Sequence, residues 1–190
     1  MESFSGYARH RIAVFGGSFN PFHNGHLEVV KCLAKRFRKV WVLPCGNHPF
    51  GKELAPSNDR YRMAVLGTMG LLMTSVKRFE LNSPNVSYTS RTVKMLSRNY
   101  PSSQFSWVIG EDSLEHFDEW RDAEMLKQEV DFVIVSRKKL DVPFGYNLVC
   151  KTPKVSSSKI RSKLSKGNSV EKLVPERVAD YIKEHKLYRD

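Results

Sequence analysis

The amino-acid sequence predicts an α/β fold in which a mostly parallel sheet of five or six strands is covered by helices on both faces. Short apolar runs typical of buried parallel strands alternate along the chain with longer segments of helical periodicity. The first run leads through two adjacent glycines directly into a helical pattern. Because 190 residues suffice for one well-buried core, we expect a single domain over residues 1–190, with residues 1–10 as a loose extension.

In the first half of the chain, the elements follow from the positions of apolar residues and helix breakers. The apolar period of three to four residues from Leu27 to Phe37 predicts the first helix. Glycines and prolines mark the segment after the second strand as a loop. In chain order the predicted elements are a strand at 12–15, a helix from Leu27, a strand at 40–43, a loop at 44–56, a helix capped by Asn58 or Asp59, and a weaker strand at 76–81.

The second half of the chain continues this alternation. A helix that contains Val93 and Leu96 ends near Pro101, because the residue before a proline disfavours the helical conformation. Pro175 stands in the first turn of the last helix, where proline is tolerated. The other predicted elements are a strand at 105–109, one or two helices between 114 and 126, strands at 130–135 and 147–150, and helices at 156–164 and 175–186.

Strands that alternate with helices form a Rossmann-like, doubly wound sheet, and such sheets bind ligands at the carboxyl ends of their strands. This rule places the loops at residues 16–26, 44–52 and 110–112 along one rim. The loop before the helix at 156–164 has to reach the same rim if its serines take part in binding.

The charge of the chain indicates an anionic partner. The formal net charge is +11, and residues 151–190 contain eleven Lys and Arg against five Asp and Glu. The first ten residues lack the apolar core of a signal peptide, so we expect a cytoplasmic location and no membrane partner. Cys32, Cys45 and Cys150 are spaced like neither a zinc site nor a disulfide framework, and reduced thiols are expected.

The strongest functional signal is the glycine turn at residues 16–26. Gly16 and Gly17 let a ligand approach the main chain, and the helix start that follows presents unpaired N–H groups and a dipole that favours an anion. The turn lacks both the ending of a Walker A loop and the spacing of a dinucleotide fingerprint. The sequence therefore predicts a phosphate site of another kind, in which Ser18 and Phe19 continue the cradling backbone.

Two histidines accompany this turn. His23 and His26 are three residues apart, so at a helix start both fall on one side and can face a phosphate chain. A metal pair is the competing interpretation, although zinc needs a third ligand and none stands at suitable spacing. Capping or packing explains either histidine alone, whereas the two together favour phosphate binding.

Residues 16–26 resemble the nucleotide-binding signature of the cytidylyltransferase-like nucleotidyltransferases, and residues 155–161 resemble the second signature of that superfamily. Residues 11–189 are similar to the bacterial nicotinate-mononucleotide adenylyltransferases. The supporting segments are residues 48–52, 59–63, 87–89, 109–112, Trp120 and 174–188. Phosphopantetheine adenylyltransferases share the histidine element but usually have a shorter chain and lack the serine element.

The resemblance implies that AMP passes from ATP to nicotinate mononucleotide, giving deamido-NAD and pyrophosphate. It implies catalytic roles for His26 at the α-phosphate, His23 at the phosphate chain and Arg161 at the leaving pyrophosphate. The residues implied to bind ATP are Gly16, Gly17, Ser18, Phe19, Gly110, Asp112, Ser157, Ser158 and Lys52, and those implied to bind the pyridine nucleotide are Tyr88, Thr89 and Trp120. Because the attacking phosphate is already an anion, the reaction needs positioning and charge neutralisation rather than a general base. Mg²⁺, held mainly by substrate phosphates and water, is the expected cofactor.

Several alternatives stay open at the level of sequence. Nicotinamide mononucleotide differs from nicotinate mononucleotide by one amide in place of a carboxylate, and the donors that distinguish them are not identifiable. Helix capping explains the serines at 156–158 taken alone, and core packing explains Trp120. An RNA-binding module fits the net charge, but the chain shows neither an RRM aromatic signature nor a KH loop, so no specific nucleic-acid partner is expected. A homo-oligomer is compatible with the sequence.

Overall fold

The computed structural model describes residues 11–48, 51, 53–83 and 85–189, and its centre is a parallel sheet. The strands in these residues are β1 (Ile12–Gly17), β2 (Lys39–Pro44), β3 (Thr74–Val76), β4 (Phe105–Gly110), β5 (Asp131–Ser136) and β6 (Tyr146–Val149). These six described strands lie in the order β3-β2-β1-β4-β5-β6, and the neighbours pair in parallel. The predicted α/β class and strand number are confirmed. The predicted loose extension at residues 1–10 lies outside the described residues.

Helices cover both faces of the sheet, as predicted. In the described part of the chain they are α1 (Asn24–Ala34), α2 (Ser57–Thr68), α3 (Thr89–Asn99), α4 (Glu111–Glu115), α5 (Ala123–Glu129), α6 (Ser157–Leu164) and α7 (Glu176–Glu184), with a 3₁₀ turn at Phe117–Glu119. Apolar residues of α1, α2, α6 and α7 form one buried cluster, and those of α3, α5 and the 3₁₀ turn form a second. Successive β1 residues point to opposite clusters, Ala13 to the first and Val14 to the second. Burial on both faces explains why the strands read as continuous apolar runs.

Two predicted boundaries are wrong for local reasons. The strand expected at residues 76–81 is β3 at Thr74–Val76, an edge strand that pairs only with β2. The N–H of Lys77 donates to the carbonyl of Val42, and beyond this hydrogen bond the chain leaves the sheet. Helix α1 begins three residues before the expected Leu27, because His23 acts as its N-cap.

The expected cap of the second helix is also wrong. Pro56 occupies the N-cap position of α2 and makes no side-chain hydrogen bond there. Asp59 instead accepts a hydrogen bond of 2.8 Å from the hydroxyl of Tyr181 in α7. The carboxylate thus fastens the C-terminal helix to α2, a contact between distant segments that local capping rules do not consider.

The cysteines correct a further expectation. Cys32 in α1 and Cys150, which directly follows β6, form a disulfide with Cα atoms 6.1 Å apart. Their separation of 118 residues explains why sequence spacing gave no disulfide pattern. Cys45 is buried and keeps a free thiol, as expected. None of the helices that the structure describes is both long and apolar enough to cross a bilayer.

Candidate active site

The site lies where the order of the strands reverses. From β1 the sheet extends through β2 and β3 on one side and through β4, β5 and β6 on the other. In a doubly wound sheet the crevice at such a point, beyond the carboxyl ends of the strands, is the usual ligand position. Gly17 ends β1 and Gly110 ends β4, so the predicted phosphate turn and the predicted Gly110–Asp112 loop border the same crevice.

The glycine turn is packed around a phenylalanine ring. A Cβ atom on Gly17 would lie 3.1 Å from the ring of Phe19, and one on Gly16 would lie 3.4 Å from Trp107. The contact at Gly17 is tight, so a side chain there would displace the ring of Phe19, whereas the distance at Gly16 is an ordinary van der Waals contact. The left-handed backbone conformation belongs to Phe19 itself, with φ of 47°, rather than to the glycines. Phe19 as a whole is 1% exposed, so its side chain packs inside the protein rather than lining the crevice.

The two predicted histidines lie together at the start of α1. The Nδ1 atom of His23 accepts the backbone N–H of His26 at 3.3 Å, and the Nδ1 atom of His26 accepts the backbone N–H of His23 at 3.2 Å. The two rings stack with centroids 3.6 Å apart and planes 10° apart. This reciprocal capping box fixes both rings at the mouth of the helix.

The electrostatics of the pair keep both imidazoles neutral. Burial lowers the pKa of His23 from 6.5 to about 4. Burial, and secondly the charge of His23, lower the pKa of His26 well below 6.5. Because a backbone N–H can only donate, Nδ1 is the acceptor in each ring, and a neutral imidazole then carries its proton on Nε2. The geometry gives the pair two N–H donors of fixed tautomer, which suit phosphate oxygens.

Three aromatic rings supply the apolar surroundings of His26. The centroid of its ring lies 4.9 Å from Phe19, 5.4 Å from Phe22 and 6.1 Å from Phe15. Removing water from an imidazole disfavours its charged form, which explains the direction of the pKa change. No sequence pattern indicates this role for Phe15 and Phe22, although both lie in or beside the glycine turn.

The second predicted motif reaches the first. Ser156 is the N-cap of α6 and accepts the backbone N–H of Lys159 at 3.3 Å. The hydroxyl of Ser157 donates to the carbonyl of Pro21 at 3.1 Å, and the guanidinium of Arg161 donates to the carbonyl of Asn20 at 2.8 Å. The N-terminus of α6 therefore lies against the glycine turn. The loop before this helix reaches the same rim of the sheet, as is needed if its serines take part in binding. The exposed Ser158 occupies the same first turn, and the roles of these residues toward phosphates stay predictions.

Two of the three residues predicted for the pyridine ring lie at the start of α3. Tyr88 is at its N-cap position and Thr89 is its first residue. The guanidinium of Arg121 stacks over the ring of Tyr88 at 4.9 Å, which brings the segment after the 3₁₀ turn to the same place. The adjacent Trp120 packs against Phe117, with centroids 5.3 Å apart. A cavity of about 430 Å³ opens beside Tyr88 and is lined by cationic side chains of α3 and by Arg121.

The loop after β4 leads directly into α4. Gly110 occupies the N-cap position of this helix, and Asp112 stands exposed in its first turn. The carboxylate of Asp112 lies over Gly110, since a Cβ atom there would be 2.5 Å from its Oδ1 atom. Asp112 therefore does not cap α4, and its predicted contact with a ribose stays a prediction.

Comparison with known proteins identifies the family. A model of the cytidylyltransferase-like family matches residues 14–163. The chain belongs to the cytidylyltransferase-like family. It is 36% identical to a probable nicotinate-nucleotide adenylyltransferase of Anaeromyxobacter dehalogenans, over 94% of this chain and 96% of that protein. It is 34% identical to one of Methylacidiphilum infernorum, over 94% and 92% respectively.

A solved structure shares the fold of this chain. The Plasmodium falciparum nicotinic acid mononucleotide adenylyltransferase, complexed with NaAD, superposes with a TM-score of 0.81. The match covers 95% of this chain and 98% of that chain, at 24% sequence identity. At this identity the comparison shows only that the two proteins share a fold. The glycine turn, both histidines and, of α6, all residues but Leu164 of this cytidylyltransferase-like protein fall within the residues that the family model matches.

Three residues that hold the site together were not predicted to do so. Arg60 of α2 is 2% exposed, and its guanidinium donates to main-chain carbonyls of the loops around the site. Asn20 is 2% exposed, and its Oδ1 atom accepts the N–H of Ala55 at 3.1 Å and the hydroxyl of Tyr188 at 2.8 Å. Burial, despite nearby arginines, raises the pKa of Tyr188, so this hydroxyl stays a donor. No local sequence pattern distinguishes a buried Arg60 from the exposed Arg62 beside it.

One predicted ATP ligand has no structural description. Lys52, expected to contact ATP, lies outside the described residues. No group of three His, Cys, Asp or Glu side chains in the part of the chain that the structure describes lies close enough to hold a metal ion. Apart from the carboxylate of Asp112, the predicted side-chain groups at the crevice are N–H and O–H donors, which suit phosphate oxygens better than they suit a bare cation.

Proposed function

We propose that the protein is an adenylyltransferase that joins ATP and nicotinate mononucleotide into deamido-NAD, with release of pyrophosphate. The observation that carries this proposal is the pair of neutral, stacked imidazoles at the start of α1, whose Nε2–H groups are left to donate at the switch point of the sheet. The relatives named as probable nicotinate-nucleotide adenylyltransferases supply the choice of substrates.

In the proposed reaction, an oxygen of the mononucleotide phosphate attacks the α-phosphorus of ATP. The new P–O bond forms as the bond from the α-phosphorus to the bridging oxygen breaks, and the electron pair leaves with pyrophosphate. Negative charge grows on the α-phosphate oxygens, where the Nε2–H of His26 donates. His23 holds the phosphate chain, and Arg161 with Ser157 and Ser158 neutralises the leaving pyrophosphate.

The remaining binding roles extend from the same crevice. We propose that the main chain of Gly16, Gly17, Ser18 and Phe19, with Gly110 and Asp112, holds ATP, and that Tyr88, Thr89 and Trp120 hold the pyridine ring. Mg²⁺ would be held by the substrate phosphates and water rather than by these donor side chains, and it would supply further neutralisation of the phosphate charge. Lys52 as an ATP ligand, a cytoplasmic location and a homo-oligomer stay predictions.

A direct assay tests the proposed function. Purified protein with ATP, Mg²⁺ and nicotinate mononucleotide should release pyrophosphate and form deamido-NAD, measured by chromatography, and nicotinamide mononucleotide should be run beside it. A protein that makes neither dinucleotide refutes the proposal. Preference for the nicotinamide substrate refutes the choice of acceptor.

The role of His26 is tested by one substitution and a matched control. His26→Ala removes one donor to transition-state charge, so kcat should fall by about 10²- to 10³-fold. His116→Ala, at an exposed histidine paired with Glu119, should leave kcat unchanged. A fall of less than about tenfold in the folded His26→Ala variant contradicts the transition-state role.

A further inference from the structure

Arg60 is a buried cation whose described hydrogen-bond acceptors are mainly main-chain oxygens. Its Nε atom donates to the carbonyl of Ala55 at 2.9 Å, and its Nη2 atom donates to the carbonyl of Gly46 at 3.3 Å. Its Nη1 atom donates to the carbonyls of Ser18 at 3.0 Å and Cys45 at 2.7 Å. One guanidinium thus bonds the glycine turn, the end of β2 and the chain that enters α2.

These acceptors belong to both sides of the proposed site. Ser18 lies in the turn assigned to ATP, and the same turn is bonded to the end of β2 through the N–H of Cys45 and the carbonyl of Gly17, at 2.9 Å. The N–H of Gly46 donates to the hydroxyl oxygen of Ser87 at 2.9 Å. Ser87 directly precedes Tyr88, which is assigned to the pyridine ring. Arg60 is therefore the junction between the two halves of the site.

The shape of the guanidinium makes this junction directional. Its five N–H groups point along fixed directions in one plane, so each bonded carbonyl is held at a fixed angle. In a trans peptide the N–H points opposite to the C=O, because the unit is planar. When the carbonyl of Ser18 turns toward Arg60, the N–H of Phe19 turns away from it, and this N–H is among those assigned to the nucleotide.

We propose that Arg60 is a positioning residue, which aligns the ATP turn with the loop that holds the mononucleotide. The inference rests on the proposed function, since alignment has a catalytic meaning only when two substrates meet at this crevice. Arg60 touches neither the phosphates nor the pyridine ring; it acts through the carbonyls of Ser18, Cys45 and Gly46. Misplacement of two bound reactants by about 1 Å lowers the rate about 100-fold, even where each still binds.

The test compares binding with turnover in Arg60→Lys, Arg60→Ala and the control Arg62→Lys. Arg62 lies on the same helix and is exposed. In Arg60→Lys, kcat should fall about 100-fold, while the Kd of ATP and of the mononucleotide, by calorimetry, each change less than about threefold. Arg62→Lys should match wild type. In Arg60→Ala, added guanidinium should restore kcat at least about tenfold, and equimolar NaCl should not.

The outcomes distinguish a failure of the proposed function from a failure of the role of Arg60. A wild-type protein without activity refutes the proposed function and this inference together. An active wild type beside a folded Arg60→Lys variant of equal kcat refutes the role of Arg60 alone, and so does a loss of activity that follows the unfolded fraction measured by circular dichroism. Should the Arg60 variants fail to fold, Ser87→Ala serves as a second variant. It removes the hydroxyl that accepts the N–H of Gly46, next to Tyr88. It should raise the mononucleotide KM about fivefold to tenfold without changing the ATP KM, and an unchanged mononucleotide KM overturns the inference.

Discussion

Acid should destabilise the fold through His23. The side chain is 7% exposed, and burial lowers its pKa from 6.5 to about 4. Below pH 6.5 the unfolded chain takes up a proton on this imidazole, whereas the folded chain does not until about pH 4. The unfolded state therefore binds more protons across this interval, and the free energy of unfolding decreases as the pH falls from 6.5 toward 4.

The expected size follows from the two pKa values. Each pKa unit corresponds to about 1.4 kcal/mol, so the change at His23 amounts to about 3 kcal/mol once the pH approaches 4. Solvent screening removes little from this figure, because the ring is well below one-third exposed. His26 acts in the same direction, since burial and the charge of His23 lower its pKa as well. A loss of this size is a large fraction of the stability of a typical domain, about 5–15 kcal/mol.

The assay is urea unfolding followed by circular dichroism, at about pH 7 and about pH 4.5, on wild type and His23→Asn. Asparagine is also a good N-cap residue and does not titrate, so the variant keeps the start of α1 without the buried imidazole. Between about pH 7 and about pH 4.5, the free energy of unfolding should decrease by about 2–3 kcal/mol less in His23→Asn than in wild type. Carboxylates titrate in both proteins and cancel in the difference. If both proteins lose the same stability, the attribution to His23 is refuted.

Three other predictions concern contacts between distant parts of the chain. Tyr188→Phe removes the hydroxyl that donates to the glycine turn, so urea unfolding should show a loss of about 1 kcal/mol and kinetics an increase in the ATP KM. Gly67→Ala places a Cβ atom 2.4 Å from the ring of Phe22, and calorimetry should show a loss of about 1–3 kcal/mol from overpacking. Reduction of the bond between Cys32 and Cys150 opens a loop that spans 118 residues, so it should lower stability to urea by about 2–5 kcal/mol, and Cys150→Ser should match the reduced protein. An unchanged urea midpoint contradicts the first and third predictions, and an unchanged melting temperature contradicts the second.

The sequence allowed prediction of those features that local spacing encodes. Apolar runs such as residues 130–135 predicted buried strands, because both faces of β5 contact helices. The three-residue spacing of His23 and His26 predicted that both would face one side, and the capping box places them there. In contrast, the approach of Ser157 and Arg161 to the glycine turn was expected only through the resemblance to a family. The intervening chain contains nothing that specifies this contact locally.

Contacts between distant residues could not be predicted from the pattern. Arg60 stands in a helix of mixed polar and apolar residues, and a charged residue there is usually exposed. Its burial becomes possible only when loops from two other parts of the chain, at Ser18 and at Cys45 and Gly46, present carbonyls to it. The same holds for Cys32 and Cys150, which the sheet brings together across 118 residues. Single-sequence reasoning identifies the groups that do the chemistry more readily than those that hold them.

The contacts of the glycine turn also explain how a phosphate site can form next to so many peptide oxygens. Carbonyl dipoles aimed at the crevice would repel an anion, yet the carbonyls of Ser18, Asn20 and Pro21 all accept hydrogen bonds from side chains of other elements. The donors to these carbonyls are, in order, Arg60, Arg161 and Ser157. With its oxygen held by Arg60, the peptide after Ser18 directs the N–H of Phe19 away from the guanidinium and leaves it for a ligand. Because adenylyl transfer depends on position and charge rather than on a general base, this orientation of the backbone is the contribution that Arg60 makes to the reaction without a proposed contact to the substrates.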